Sequence, residues 1–270
     1  MARKLRYRSI WISDVHLGTR GCQADLLLDF LRRTECEHLY LVGDIIDGWR
    51  LQRRGYWDAS HHAVIQALLG KALAGTRVTY IPGNHDELMR GYLDTELGGV
   101  AIVGEAIHET ADGRRLLVVH GDEFDAVVCY ARWLAILGDH AYTLTLMLNT
   151  WFNRARRLFG EPYWSLSGYL KRQVKNAVQV VSRFESEVAA AARRRGVDGV
   201  ICGHIHTAAI RDFDGVLYCN DGDWVESCTA LVEDEHGRLH ILHWAEMATA
   251  AIAARPDPVP GLRPVEGRAA

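Results

Sequence analysis

Seven side chains able to donate to divalent metal ions stand in five short polar clusters of this 270-residue chain. The clusters are Asp14-Val15-His16, Gly43-Asp44-Ile45-Ile46-Asp47, Gly83-Asn84-His85-Asp86, His120-Gly121-Asp122 and Gly203-His204-Ile205-His206. Their candidate ligands are Asp14, His16, Asp44, Asn84, His120, His204 and His206. Nitrogen and oxygen donors without cysteine suit Mn²⁺, Fe²⁺ or Zn²⁺ better than Ca²⁺, which prefers oxygen alone. Two such cations need about six to eight protein donors besides water, and one carboxylate can bridge a pair about 3.5–4 Å apart, the spacing of two-metal phosphoryl sites. Taken singly, each cluster reads as polar residues capping a strand end. Five in order, each beside a flexible turn, argue for one converging site. Asp47 could coordinate, but reads first as the holder of a turn or of a ligand histidine.

The elements needed to bring these clusters together are legible around them. Short apolar runs predict strands over Arg8–Ser13, His38–Val42, Val78–Ile81, Leu116–Val119 and Gly199–Cys202, each stopping at a cluster. Helical spacing covers Ala24–Arg33, with Leu27, Leu28 and Leu31 on one face, and Ser60–Ala74. The stretch Val216–Trp244 is strand-rich, with Gly and Asp turns. In open α/β sheets, ligands collect outside the carboxyl ends of strands, which is where the clusters fall. Alternating strands and helices followed by more strands argue for an α/β sandwich. Residues 125–195 carry no strand signal and read as a helical cap inserted between sandwich segments 1–124 and 196–254. Four of the six prolines lie beyond Arg255, so 255–270 is expected to be a flexible tail.

Composition narrows the function classes. The net charge is −3, which gives no support for coating a nucleic acid. Hydrophobic residues make up 49% and charged residues 24%, an ordinary globular balance that excludes disordered, collagen-like and coiled-coil chains. No run is long and apolar enough for a membrane span or a secretory signal. The six cysteines form no CxxC pair and read as reduced thiols of a cytoplasmic protein.

The ordered series DVH, GDIID, GNHD, HGD, GHIH resembles that of the calcineurin-like metallophosphoesterases, over residues 14–206. The resemblance implies an α/β fold built as a two-sheet β sandwich flanked by helices, with one metal on Asp14, His16, Asp44 and His206, and another on Asp44, Asn84, His120 and His204. It also implies that His85 assists phosphate binding and leaving-group departure, with Asp86 orienting its imidazole. Water between two cations would lose a proton near neutral pH and attack phosphorus in line. Manganese is the first expectation for both ions, with iron or zinc accepting the same donors.

Three further stretches are similar to the UDP-2,3-diacylglucosamine diphosphatase branch, an activity of lipid A biosynthesis. They are Trp133–Asp139, Tyr163–Ser167 and Gly222–Ser227. That resemblance implies cleavage of the pyrophosphate of a nucleotide-linked diacyl sugar, under a helical cap that holds acyl chains. The branch's dedicated lipid A enzyme carries arginine where this chain has His85. The apolar run Leu144–Phe152, bordered by Arg154, Arg156 and Arg157, could take acyl chains or touch anionic headgroups, as a protein peripheral to the inner membrane would. It reads equally well as core or dimer packing, which leaves room for a homo-oligomer. Asn84, Asp122, Ser165, Lys171, Arg172 and Lys175 are the substrate-binding candidates. Two rivals stay open: a metallophosphoesterase for another phosphodiester, phosphomonoester or nucleotide, and a non-catalytic metal-binding scaffold.

Overall fold

The computed structural model describes residues 4–124 and 181–253. Two mixed sheets face each other, with helices on both outer sides. The larger sheet contains β1 (Leu5–Ile12), β2 (Thr34–Val42), β3 (Arg77–Ile81), β4 (Thr95–Leu97), β5 (Val100–Ile102), β11 (Thr229–Glu233) and β12 (Leu239–His243). Its order is β12-β11-β1-β2-β3-β5-β4, and β1, β2, β3 and β5 run parallel. The smaller sheet contains β6 (Ala106–Glu109), β7 (Arg115–Val118), β8 (Gly199–Cys202), β9 (Ala209–Phe213) and β10 (Val216–Asn220), in the order β6-β7-β8-β10-β9. Its central β7, β8 and β10 are parallel.

Period-two alternation assigns each side chain to a layer. Trp11, Tyr40, Val42, Ile81, Leu116, Val118, Ile201 and Leu231 fill the space between the sheets. Their neighbours Ile10, Ile12, Leu39 and Leu41 face the opposite way. There they meet α1 (Ala24–Arg33), α3 (Ala59–Leu73) and α5 (Trp244–Ala253) through Leu27, Phe30, Val64, Leu68 and Trp244. On the far side of the small sheet, Leu117, Val119, Val200 and Cys202 pack on Phe184, Val188 and Ala192 of α4, a helix over 181–194. The stretch expected to be cap therefore ends in a helix that covers the sandwich. Residues 125–180, with Ser165, Lys171, Arg172 and Lys175, lie outside the described residues, as does the tail.

Local chemistry sets the element ends. Asp58 caps α3 by accepting from the Ser60 and His61 amides at 2.9 and 3.1 Å. Helix α1 runs straight into β2, and Thr34 Oγ1 closes it by donating to the Phe30 carbonyl at 2.8 Å. Strand β2 starts at Thr34 rather than at the expected His38 because Leu5–Tyr7 pair in parallel with its polar beginning. The expected strand ending at Trp244 gives way there to α5. Trp244 is buried against Phe30, ring centroids 5.1 Å apart, and donates through Nε1 to Asp29 at 3.1 Å.

Candidate metal centre

All five clusters meet at one edge of the sandwich because β1, β2 and β3 of one sheet and β7 and β8 of the other present their carboxyl ends there. Backbone bonds lace the turns together. The Asp14 amide donates to the Gly43 carbonyl at 3.1 Å, His16 to Asp44 at 2.9 Å, and Gly203 to His120 at 3.1 Å. Asp14, His16, Asp44, His204 and His206 all hold φ between 49° and 68°, the left-handed region that non-glycine residues seldom occupy. Each such residue costs roughly 1–3 kcal/mol, a strain that characterises functional sites. Gly83 is required by contact rather than by φ. A Cβ there would lie 2.6 Å from His120 Nε2 and closer still to Asp44 Oδ1.

Among the described residues, three groups of donor atoms form, each with its atoms within 4.8 Å of one another: Asp14, His16 and His206; Asp44, His120 and His204; His16, Asp47 and His85. Asp44 connects them. Its Oδ1 accepts from the His85 amide at 2.8 Å. Its Oδ2 lies 3.5 Å from His120 Nε2, 3.9 Å from His16 Nε2 and 4.0 Å from His85 Nε2. Asp14 Oδ1 lies 2.7 Å from His206 Nε2 and 3.8 Å from His16 Nε2. His120 donates through Nδ1 to the Val42 carbonyl at 2.8 Å, which turns Nε2 toward Asp44.

The residues fit a divalent ion on a direct observation. Asn84 Oδ1 is buried without a hydrogen-bond partner, and Asp14 Oδ1 and His120 Nε2 face other members of the donor groups, His206 Nε2 at 2.7 Å and Asp44 Oδ2 at 3.5 Å. Buried polar atoms are normally satisfied, and these have the chemistry of metal ligands. The electrostatics agree. Burial alone would drive His120 and His16 to shed their protons. Asp44 and Asp14 overcome it at His120 and raise it to about 10, while Asp14, Asp47 and Asp44 raise His16 to about 9. Burial likewise opposes the charge on Asp14, and His206, His16 and His120 outweigh it to hold that carboxyl well below its ordinary range. Without cations, protons carry the positive charge that the carboxylates demand.

The structure corrects one expected role. Asp86 does not orient the His85 imidazole. Its carboxylate accepts from the Gly83 amide at 2.6 Å, from the Ile45 amide at 2.8 Å and from the Tyr80 hydroxyl, and so ties the second cluster to the third. Asp47 faces His85 instead, with Oδ2 3.2 Å from His85 Nδ1 and 3.4 Å from His16 Nδ1. Its Oδ1 accepts from Arg50 at 2.8 Å and caps α2 (Gly48–Arg54), so the turn and both imidazoles share one carboxylate. Asp122 pairs with Arg90 at 2.7 Å on the rim. The exposed Trp49 ring lies over His85, centroids 4.2 Å apart. Asp221 and Asp223, after β10, back the first donor group through Ser13 and His206. Their sequence signals were the turn-forming run Asp221-Gly222-Asp223 after a strand and, for Asp223, its place in the Gly222–Ser227 stretch similar to the diphosphatase branch.

The family model for calcineurin-like phosphoesterases matches residues 7–208. The chain belongs to the calcineurin-like phosphoesterase family. Among relatives of this phosphoesterase, the UDP-2,3-diacylglucosamine hydrolase of Xanthomonas campestris pv. campestris is 29% identical over 248 residues, 85% of this chain and 96% of that one. The enzyme so named from Pseudomonas paraeruginosa is 30% identical over 244 residues, 84% of this chain and 95% of that one. A hypothetical protein of Pyrococcus horikoshii OT3 aligns with a TM-score of 0.46 at 10% identity, over 94% of this chain and 95% of that one. This phosphoesterase is a metal-dependent phosphohydrolase, and its clustered Asp and His side chains are arranged so that they can hold a divalent metal. Among the described residues, no helix is long and apolar enough to cross a membrane.

Proposed function

We propose that this phosphoesterase holds two divalent cations, Mn²⁺ foremost, and hydrolyses the pyrophosphate of a nucleotide-linked diacyl sugar. The observation that carries the metal half is Asp44 Oδ2, which faces both His16 and His120 and so can serve two ions. One ion would take Asp14, His16, Asp44 and His206; the other, Asp44, Asn84, His120 and His204. Such a pair supplies positive charge against the phosphoryl oxygens and makes water more acidic. The chain's own groups do the rest. Asp47 holds His85 at Nδ1, which leaves Nε2 on the Asp44 side, where it gives a proton to the departing oxygen. The left-handed turns keep the ligands in place before substrate arrives, so little reorganisation is left for the reaction.

The substrate half draws its support from relatives named UDP-2,3-diacylglucosamine hydrolase that match nearly full length. In this reading the segment 125–195, expected from the sequence to be a helical cap, carries the lipid specificity: Leu144–Phe152 is the candidate for the acyl chains, and Ser165, Lys171, Arg172 and Lys175 are the candidates for the phosphates. A diacylated substrate also brings the enzyme to the cytoplasmic face of a membrane. The test is hydrolysis of UDP-2,3-diacylglucosamine with Mn²⁺, read as release of UMP and the lipid sugar 1-phosphate. Alanine at Leu146, Met147 and Trp151 should spare bis-p-nitrophenyl phosphate and impair the lipid substrate. Turnover of small phosphodiesters or nucleotides alone would instead support the second reading, a different phosphoester substrate, which His85 favours.

A further inference from the structure

One serine hydroxyl joins two buried carboxyl groups behind the metal centre. Ser13 Oγ lies 2.6 Å from Asp14 Oδ2 and 2.6 Å from Asp221 Oδ1. A hydroxyl has a single proton, so it can donate to one of the two and must accept from the other. Both contacts have the length of charge-assisted O–H···O bonds, so neither is a repulsive contact between a lone pair and a carboxylate. One of the two carboxyl groups therefore brings its own proton.

The surroundings decide which. Asp14 Oδ1 lies 2.7 Å from His206 Nε2 and its Oδ2 accepts from the His204 amide at 2.8 Å, so it carries the negative charge. Asp221 is wholly buried and its Oδ2 has no partner. An ionised carboxylate with a bare buried oxygen is expensive, whereas a neutral acid is not. The titratable groups around Asp221 are Asp14 after β1, His120 after β7, Cys202 on β8 and Cys219 on β10. Burial dominates and, with Asp14, drives Asp221 well above the ordinary carboxyl range, against Ser13 and His120.

We propose that Asp221 is a neutral carboxylic acid and a positioning residue for the metal centre. It donates to Ser13 Oγ, Ser13 donates to Asp14 Oδ2, and Asp14 Oδ1 is left as the oxygen open to a cation. This chain gives Asp14 a fixed orientation without adding a second negative charge. The proton assignment stands alone; the positioning of a ligand rests on the two-cation reading.

The test uses the full chain, stripped of metal with a chelator, as wild type, Asp221→Asn, Asp221→Ala and Ser13→Ala. An unfolded aspartate ionises near pH 3.9, so a native chain that keeps the proton loses about tenfold in its folding constant per pH unit above that, up to the native pKa. Asp221→Asn cannot ionise and still donates to Ser13, so it should gain on wild type as pH rises from about 5 to about 8 in urea unfolding. A difference that stays flat across that range overturns the assignment. Wild-type chain labelled with ¹³C at the aspartate carboxyl carbons should keep one resonance at the protonated position near neutral pH. The absence of such a resonance also overturns the proposal, even if a variant fails to fold. In Mn²⁺ titrations Asp221→Asn should bind within about threefold of wild type, while Asp221→Ala and Ser13→Ala should lose about tenfold or more. Unchanged affinity in both alanine variants would refute the positioning role. Wild type that takes up no Mn²⁺ would sink the two-cation reading instead, with the proton still judged by the pH series.

Discussion

Removing the cations should make the stability of this phosphoesterase depend on pH in a specific direction. In the metal-free fold His16 rises to about 9 and His120 to about 10, from an ordinary 6.5. A group whose folded pKa is raised contributes stability that is full below its unfolded pKa and is lost as pH climbs through its folded pKa. The window therefore opens near 6.5 and closes between about 9 and about 10. From about pH 6.5 to about pH 8.5 each histidine forfeits about 2 kcal/mol, roughly 30-fold in the folding constant. Both draw on Asp14 and Asp44, so the joint loss lies between about 2 and about 4 kcal/mol rather than at the full sum. With Mn²⁺ saturating, His16 and His120 hold metal in place of protons, so their share of the slope over this window should vanish and leave only that of the buried Asp221. Urea unfolding of chelated and loaded chain at both ends of the window measures the contrast. Equal stability of the chelated chain at both ends, or identical slopes with and without metal, would refute the view that protons occupy the metal positions.

Asp44→Ala should abolish turnover of bis-p-nitrophenyl phosphate and remove uptake of both cations in a Mn²⁺ titration; full turnover would mean that the shared carboxylate is misassigned. His85→Ala should keep the metals and slow turnover by roughly 10²–10⁴. Asp47→Asn should cost about 10–100-fold, and the Asp47→Asn/His85→Ala pair should be little worse than His85→Ala alone, since Asp47 acts largely through that imidazole. Gly83→Ala should bind metal poorly by calorimetry while staying folded by circular dichroism, because its methyl overlaps Asp44 and His120.

Much of this molecule was readable before any folding. The strands that end at Asp14, Asp44, Asn84, His120 and His204 announce themselves as apolar runs cut short by polar turns. The helix at Ala24–Arg33 follows from its leucine spacing. Those features are local, set by periodicity and turn chemistry within a few residues. The seven candidate ligands could be named for the same reason: donor type and, in four of the five clusters, an adjacent glycine are written in the chain itself.

What only the tertiary structure decided was which groups address each other across the clusters. Asp47 and Asp86 look alike in sequence, each a few residues from a candidate ligand. Parallel pairing of β2 with β3 aims Asp86 at backbone amides and Tyr80, and leaves Asp47 facing His16 and His85. Asp221 reads as a turn residue until β10 pairs beside β8 and places it behind Ser13, 208 positions away. Burial of that pair, rather than residue type, then determines which carboxyl keeps a proton. The polar start of β2 became strand through a partner that the local pattern does not contain. Hydrogen bonds and desolvation act over a few ångströms in space, so sequence separation hides them until the sheets assemble.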